Sequence, residues 1–358
     1  MDELDDIAAR VRAREGGATV GPWTLEVYPT LRCNLDCAFC DTTDRHRPAV
    51  HELDADTWSA LVDEAADLGA RRIYVLGGGE PLVSAATPAI LRRAKARGLT
   101  GMLTTNGTRL DAKTATLLVD IGWDEVHVSL DGARPATHDL LRGKSGAFQR
   151  TVTGTCRLRR LRDQRGERLP RIVLHTVITR RNLREIPAIV RLAAALGADA
   201  VEFDALVAYR PEQRALRLDT AEEALLPDLA REGIVVAESL DIRTTLPRFL
   251  TPEDTRRGEN LPPPATRAGS LGRAPCLKAW HHLVIDAAGR ISACCVLAGE
   301  GERVTTVAET WERSPWLVSL REARRAGAPL PRCAECSPNL LAHEAAIGER
   351  LAAPRGTS

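Results

Sequence analysis

The feature that most constrains the fold of this chain is a six-fold alternation of strand-like and helix-like segments between residues 23 and 206. The strand-like segments are short apolar runs, namely WTLEVYP, RIYVL, MLTT, EVHVSL, IVLHTVI and AVEFDAL. An amphipathic helix is predicted between the first two, with Asp54 or Asp56 as the cap at its start and Gly69 at its end. A later helix is predicted to begin at Asn182 with Glu185 in a capping box. Strand–helix repeats of this kind form a parallel sheet.

Polar and glycine-rich motifs follow the first four predicted strands at the points where they end. These motifs are the cysteine loop 33–40, Gly77–Pro81, Thr104–Gly107 and Ser129–Gly132. The carboxyl ends of parallel strands meet at one edge of the sheet, so we expect the active site there. Six repeats fit either an open (β/α)6 barrel or a doubly wound sheet.

The cysteine loop contains Cys33, Cys37 and Cys40 in a CxxxCxxC pattern. Three thiolates would hold a [4Fe-4S] cluster with one iron left without a protein ligand, whereas His46 as a fourth ligand would complete a zinc site. The pattern, with Phe39 before the third cysteine, resembles the radical S-adenosylmethionine (SAM) superfamily. The resemblance implies a partial (β/α)6 barrel, in which SAM bound to the cluster yields a 5'-deoxyadenosyl radical that abstracts hydrogen from the substrate.

The segment GGGEP lacks the Gly-Lys-Ser/Thr of a phosphate loop, and its glutamate would repel phosphate but accept hydrogen bonds from an ammonium group. It is similar to the motif with which radical SAM proteins bind the SAM amino group, although a plain strand–helix turn is the alternative. Arg142 is equally compatible with the surface of a helix. The resemblance implies SAM contacts from Phe39, Gly78, Gly79, Glu80, Asn106, Ser129, Asp131 and Arg142.

A second cysteine group lies near the C-terminus. Its members are Cys276, Cys294, Cys333 and Cys336, and the segment LVIDAAGRISACC between the first two predicts a β-hairpin. The group resembles the twitch form of the SPASM module, which implies one auxiliary iron–sulfur cluster, with a zinc ribbon as the alternative.

Two further cysteines fall outside this pattern. Cys295 follows a predicted ligand, which makes it a candidate hydrogen-atom donor, an alternative ligand or a buried hairpin residue. Cys156 shares a predicted helix face with Val152 and Phe148, so it is expected to be a small buried hydrophobe.

The predicted fold class is α/β: a partial (β/α)6 barrel followed by a small cysteine-rich auxiliary domain of hairpin and helix. The predicted organisation is an N-terminal helical lead 1–22, a barrel 23–215, a helical and linker segment 216–275 and an auxiliary domain 276–358.

The composition narrows the class of protein. With 49 basic and 48 acidic residues the formal net charge is +1, and aromatic residues make up 4% of the chain, which argues against nucleic acid as a partner. No apolar run is long enough to predict a membrane span. Nine cysteines without a secretory signal suit metal clusters in a cytoplasmic protein better than disulfides.

The predicted reaction is hydrogen abstraction from a carbohydrate or cyclitol unit of a small natural product, oxidising an alcohol carbon. The predicted base is Asp204, with Glu202, His281 and His282 as other candidates, whereas His127 is expected in the core. A flavodoxin or ferredoxin is the expected electron donor. The alternatives are epimerisation with Cys295 as hydrogen donor, decarboxylation of a sugar acid, peptide maturation, or a non-catalytic metal-binding role.

The substrate class rests on family analogy and elimination. About 32 residues precede the first cysteine, which is too few for the winged-helix module found on many peptide-modifying relatives. A precursor peptide encoded next to the protein would favour peptide maturation instead.

Overall fold

The computed structural model describes residues 2–40, 50–208, 210–250, 276–328, 330–336 and 338–352. Nine strands are assigned in these ranges: β1 Thr24–Val27, β2 Arg72–Val75, β3 Thr100–Thr105, β4 Glu125–Ser129, β5 Arg171–Ile178, β6 Ala200–Ala205, β7 Arg243–Thr244, β8 His282–Ile285 and β9 Ile291–Ser292. They form one sheet in the order β7-β6-β5-β4-β3-β2-β1-β8-β9. The six strands predicted from sequence are β1 to β6.

The α-helices of the described residues lie mainly between the strands. They are α1 Glu3–Glu15, α2 Ala55–Asp67, α3 Thr87–Ala96, α4 Ala112–Asp120, α5 Pro135–Arg142, α6 Ala147–Gln164, α7 Ile186–Leu196, α8 Thr220–Ser239, α9 Lys278–His281, α10 Val307–Arg313, α11 Pro315–Arg325 and α12 Pro338–Ala352. No helix in the described part of the chain has the length and apolar character needed to cross a membrane.

The strands from β7 through β1 to β8 are all parallel, and only β9 runs antiparallel to its neighbour. The sheet is not closed, because β7 and β9 stand at its two ends. This confirms the predicted partial barrel. The predicted hairpin is also present as β8 and β9, and it extends the barrel sheet because Thr24 of β1 pairs with His282 of β8.

The two faces of the sheet differ in character because successive side chains along a strand point to opposite sides. The face covered by the helices is apolar and fully buried, with Leu25, Ile73, Leu103, Val126 and Leu174. The alternate residues face the inside of the barrel and are polar on most strands, for example Glu26, Tyr74, Thr104, His127 and His175. A polar interior suits a ligand-binding chamber rather than a packed core.

The ends of the helices show where local sequence rules held and where they failed. Asp54 caps α2 by accepting a hydrogen bond from the backbone N–H of Thr57, as predicted. The capping box predicted at Asn182 is wrong: residues Leu183–Glu185 form a 3-10 turn before α7. Asn182 Oδ1 accepts instead from the N–H of Thr179. The Glu185 carboxylate accepts from the N–H of Ala133 at 2.7 Å, and Asn182 Nδ2 donates to the Asp131 carbonyl at 2.9 Å, so tertiary contacts engage both side chains.

Candidate active site and its two cysteine groups

The three cysteines of the first group lie on one loop beyond the carboxyl end of β1. Cys33 Sγ accepts from the Leu35 N–H at 3.4 Å, and the Cys40 N–H donates to the Cys37 carbonyl at 3.2 Å. Burial raises the pKa of Cys33, and it raises that of Cys37 to about 11, and in both cases the neighbouring Cys40 raises the pKa further. The three thiols are therefore electrostatic neighbours. His46, the alternative zinc ligand, lies outside the described residues.

The end of α5 holds the cysteine loop through the backbone. The Asp36 N–H donates to the Arg142 carbonyl at 3.1 Å, and the Ala38 N–H donates to the Leu141 carbonyl at 2.9 Å. Gly143 has a φ of 65°, and a Cβ there would lie 1.9 Å from the Asp36 carbonyl oxygen. Only glycine fits at this crossing.

The Arg142 side chain lies under the same loop. Its guanidinium pairs with Asp131, its Nη1 is 3.6 Å from Cys37 Sγ, and its Cζ is 5.4 Å from the centre of the Phe39 ring. Arg142 is only 7% exposed, so it is not the surface arginine that the sequence left open. Its Nε is buried without a hydrogen-bond partner among the described residues, which leaves one donor for a ligand. A contact to the SAM carboxylate stays a prediction.

The glycine loop after β2 packs directly on the cysteine loop. A Cβ on Gly79 would lie 2.0 Å from the Arg32 carbonyl oxygen, and one on Gly78 would lie 2.8 Å from that of Thr30. The Glu80 N–H donates to the Arg32 carbonyl at 2.9 Å. The close approach that these glycines allow is thus to the neighbouring loop, and contact of their backbone with SAM stays a prediction.

Glu80 is 2% exposed and its carboxylate is already well supplied with donors. It accepts from Thr105 Oγ1 at 2.6 Å, from the Asn106 N–H at 2.7 Å and from the Leu82 N–H at 3.1 Å. Burial raises the pKa of Glu80, although these donors oppose the increase. The glutamate therefore links the loops after β2 and β3, a role that the sequence did not reveal beside the predicted SAM contact.

Asn106 links the loop after β3 to the cysteine loop. Its Nδ2 donates to Asn34 Oδ1 at 2.9 Å, and its Oδ1 accepts from the Thr108 N–H at 3.0 Å. Both the nitrogen and the oxygen of the Asn106 amide, which is predicted to bind SAM, are therefore hydrogen-bonded within the protein. Asn34, beside Cys33, is a site residue that sequence reasoning missed.

Ser129 and Asp131 follow β4 and differ in accessibility to a ligand. Asp131 is fully buried, and its Oδ1 accepts from the Val177 N–H at 2.8 Å, so it positions Arg142 and β5. Ser129 ends β4 opposite His175 and is 9% exposed. Ser129 is the better placed of the two for direct contact with a ligand.

A histidine–aspartate pair faces the inside of the barrel on β5 and β6. His175 Nε2 lies 2.6 Å from Asp204 Oδ2, and the two side chains are 25% and 34% exposed. Burial alone would lower the pKa of His175, but the hydrogen bond and charge of Asp204, with Asp131 and Glu202, raise it overall. The sequence singled out Asp204 but missed His175, whose signal was a polar residue in the strand run IVLHTVI.

The expectation of a core position for His127 is wrong. Its ring lies on the polar inner face, with Nε2 3.2 Å from Glu125 Oε2 and Nδ1 3.9 Å from Glu202 Oε2. The alternation of β4 directs residue 127 away from the helices, which a count of apolar neighbours along the chain does not reveal.

The four C-terminal cysteines come from three separate segments. Cys294 raises the pKa of Cys276 and Cys336, and Arg324 lowers the pKa of the same two thiols. Cys333 raises the pKa of Cys294. The four thiols and this arginine are therefore near one another. Arg324 Nη2 lies 2.6 Å from Cys333 Sγ. In the ranges that the structure describes, no three His, Cys, Asp or Glu side chains gather closely enough to hold a single metal ion.

Cys295 is exposed, and the charges of Glu26 and Cys294 act on it. The charge of Cys295 also raises the pKa of Tyr28, whose hydroxyl donates to Glu26 Oε1 at 2.7 Å. Surrounding protein atoms raise the pKa of the Cys295 thiol well above its usual value. The thiol therefore lies on the inner side of the barrel near β1, and the buried-hairpin reading of Cys295 is wrong.

The two histidines proposed as alternative bases are not accessible. His281 and His282 are 1% and 2% exposed, and they contact Glu344 and Glu26, respectively. Burial lowers the pKa of His282 to about 4. These imidazoles join the hairpin to its surroundings.

Cys156, expected to be a small buried hydrophobe, is half-buried in a groove of about 550 Å³ between α4 and α6 on the outside of the barrel. It packs against the apolar core together with Phe148 and Val152.

The donor sets fit iron–sulfur clusters. Three thiols on one loop leave one iron of a [4Fe-4S] cluster open for SAM, and four thiols form a closed set. Each group has a guanidinium N–H directed at one of its sulfurs, Arg142 at Cys37 and Arg324 at Cys333, which suits the negative charge of cluster sulfur.

Known proteins resemble this chain over its barrel. Residues 27–193 match the Radical SAM superfamily. An AdoMet-dependent heme synthase of Methanosarcina barkeri is 36% identical over 171 residues, 48% of this chain and 47% of that protein. A PqqA peptide cyclase of Ruegeria pomeroyi is 32% identical over 173 residues, 48% of this chain and 44% of that protein. The chain thus spans about half the length of the curated relatives it matches.

Two solved structures have a similar fold. Streptococcus suis SuiB bound to S-adenosylmethionine is 17% identical with a TM-score of 0.64, covering 87% of this chain and 70% of that one. Native anSMEcpe with bound AdoMet is 13% identical with a TM-score of 0.62, covering 92% and 96%. The match, together with the three-cysteine loop at the end of β1, shows that residues 27–193 form a domain of the radical SAM superfamily, whose cofactors are a [4Fe-4S] cluster and SAM. The two solved structures share the fold of this chain, and a twitch- or SPASM-like identity of the C-terminal cysteine group stays a prediction.

Proposed function

We propose that the protein is a radical SAM oxidoreductase that abstracts hydrogen from a carbohydrate or cyclitol unit of a small natural product and oxidises an alcohol carbon. Bound at Cys33, Cys37 and Cys40, the cluster and SAM supply the 5'-deoxyadenosyl radical that accepts the hydrogen atom. Cys276, Cys294, Cys333 and Cys336 are proposed to hold one auxiliary iron–sulfur cluster. The proposal includes a cytoplasmic location, a flavodoxin or ferredoxin as electron donor, and the barrel and auxiliary domains bounded as predicted.

The observation that carries this proposal is the His175–Asp204 pair on the inner face of the barrel. Oxidising an alcohol removes a hydrogen atom from carbon, a proton from the hydroxyl and one further electron, which goes to a one-electron acceptor. A base must take the hydroxyl proton. With Nε2 donating to Asp204, His175 Nδ1 accepts that proton, and the Asp204 carboxylate stabilises the resulting imidazolium.

The charges around this pair indicate the substrate class. Glu202 is 40% exposed on the same strand face as Asp204. These two carboxylates supply acceptors for hydroxyl and ammonium groups on the inner face. A substrate with several carboxylates would be repelled, whereas an amino sugar or aminocyclitol is complementary.

The test is an anaerobic reaction of the cluster-loaded protein with SAM, reductant and a panel of amino sugars and aminocyclitols, followed by mass spectrometry. A product two hydrogens lighter, with one SAM consumed per turnover, is the expected result. The Asp204→Asn variant should still cleave SAM but form the ketone about 100-fold more slowly. Ketone formation at the wild-type rate by this variant would contradict the role of Asp204 in supporting the base.

Epimerisation is a second candidate because Cys295 is exposed on the inner side of the barrel. In that reaction the thiol returns a hydrogen atom to the substrate radical from the opposite face. The same assay in D2O separates the two: an isobaric product that gains one deuterium indicates epimerisation, and its loss in Cys295→Ala identifies the donor.

Peptide maturation is supported by the likeness to PqqA peptide cyclases. A precursor peptide encoded beside the protein, added to the same assay, tests this candidate. Crosslinked or epimerised peptide, with no reaction on any sugar, would replace the carbohydrate proposal. A sugar acid that loses carbon dioxide would instead identify a decarboxylase.

A further inference from the structure

Both cysteine groups are built around one buried arginine that points at a sulfur atom. Arg142 Nη1 lies 3.6 Å from Cys37 Sγ, and Arg324 Nη2 lies 2.6 Å from Cys333 Sγ. Each arginine is 7% exposed. They belong to α5 and α11, which lie at different ends of the chain, so the repeated arrangement is not a consequence of one local motif.

The pairing of Arg324 shows what these arginines require. A buried guanidinium is costly unless an anion compensates its charge. Arg142 has Asp131 as a partner, but Arg324 forms no ion pair with a carboxylate of any described residue. The hydrogen-bond acceptor that the described side chains offer it is Cys333 Sγ. A neutral thiol is a poor acceptor, so the site calls for anionic sulfur.

We propose that Arg142 and Arg324 are paired positioning residues for the two iron–sulfur clusters, each donating a hydrogen bond to a ligating sulfur and raising the reduction potential of its own cluster. An N–H directed at sulfur stabilises the reduced cluster more than the oxidised one, because reduction adds negative charge. This inference rests on the cluster assignments of the proposed function but not on the substrate. It also gives Arg142 a role independent of SAM binding.

The test compares Arg142→Gln and Arg324→Gln with wild type after anaerobic loading with iron and sulfide. The matched controls are Arg134→Gln and Arg325→Gln, since these neighbouring arginines pair with Glu185 and Glu15 instead of sulfur. Redox titrations followed by electron paramagnetic resonance give both midpoint potentials without substrate. A variant with Cys33, Cys37 and Cys40 all replaced by alanine identifies the auxiliary signal.

We expect Arg142→Gln to make the potential of the SAM-binding cluster more negative and leave the auxiliary potential unchanged, with the reverse for Arg324→Gln. The lysine variants, which keep the charge, should lie between wild type and the glutamine variants. Fully loaded glutamine variants with wild-type potentials would overturn the proposal.

The melting temperatures of apo and loaded proteins separate cluster support from fold support. We expect each glutamine substitution to lower the melting temperature of the loaded protein more than that of the apoprotein. The same difference is expected if the variant binds less iron than wild type. An equal decrease in both forms would show that the arginine supports the fold alone and would overturn the inference. None of these readouts depends on the substrate, so a failed sugar assay leaves them interpretable.

Discussion

The two cysteine groups, which are proposed to hold iron–sulfur clusters, are built in different ways. The first has its three thiols within eight residues of one loop, which donates backbone hydrogen bonds to the end of α5 and accepts one from the glycine loop. The second draws four thiols from three segments, before β8, after β9 and after α11. The first is largely organised by the barrel, whereas the second needs long-range packing to bring its thiols together.

This difference bears on function because the two proposed cluster sites would have different tasks. An open iron that binds SAM requires a fixed orientation toward the chamber, and a loop clamped by its neighbours provides it. A closed four-thiol site needs only complete ligation, so its ligands can come from distant segments and gain order when the metal binds.

Loss of the cysteines should separate the two groups most strongly. Cys37→Ala should abolish SAM cleavage completely, because the cluster loses one of its three ligands, while the auxiliary iron remains bound. Cys333→Ala should lose the auxiliary iron but still cleave SAM in the absence of substrate turnover. Iron content and 5'-deoxyadenosine formation measure both. SAM cleavage that persists in Cys37→Ala would contradict the assignment of the first loop.

Gly79→Ala tests whether the clamp on the first loop matters. The added Cβ would lie 2.0 Å from the Arg32 carbonyl oxygen, and such overpacking typically costs about 1–3 kcal/mol. We expect the cysteine loop to shift and SAM cleavage to fall by more than tenfold, with the auxiliary iron unchanged. Gly16→Ala is the control, since its Cβ would meet nothing closer than 3.4 Å. Equal activity of the two variants would show that the loop does not depend on the clamp.

Asp204→Asn addresses the polar chamber inside the barrel. Asp204 raises the pKa of His175 above its usual value, so the neutral base form accumulates only at higher pH. Removing the charge should lower that pKa and move the rising limb of the rate to lower pH, while the rate itself falls about 100-fold. NMR titration of His175 and the pH–rate profile measure the two effects. Glu202→Gln should shift the pKa less, and an unshifted histidine in Asp204→Asn would disprove the coupling.

The sequence predicted most of the first group and less of the rest. Strand periodicity and the polar ends of β1 to β4 placed Cys33, Glu80 and Asn106 at one edge correctly, because parallel strands bring their carboxyl ends together. The sequence did not predict that neighbouring groups already donate hydrogen bonds to the Glu80 carboxylate, or that His175 pairs with Asp204. Those contacts depend on side-chain directions across different strands, which no spacing along one segment encodes.

The same limit applies to the C-terminal group. The hairpin was predictable from its turn residues, but its pairing with β1 as a continuation of the barrel sheet was not. Arg324 was missed because no sequence pattern between α11 and Cys333 indicates that Arg324 contacts this cysteine. Its detection required the structure, since the contact depends on how α11 packs against the hairpin helix α9.

Glu344→Gln should have the smallest effect. It tests whether the second cysteine group depends on segments that are distant in the chain. Glu344 on α12 accepts from the N–H of Leu277, next to Cys276, at 2.9 Å, and it also contacts His281 at 3.2 Å. The amide keeps the shape but not the charge, so we expect a stability loss of about 1–3 kcal/mol. If the second group depends on distant segments, chelators should remove its iron faster in this variant, with SAM cleavage unchanged. Equal rates of iron loss would mean that the hairpin alone orders Cys276, and the two groups would then be more alike than their sequences indicate.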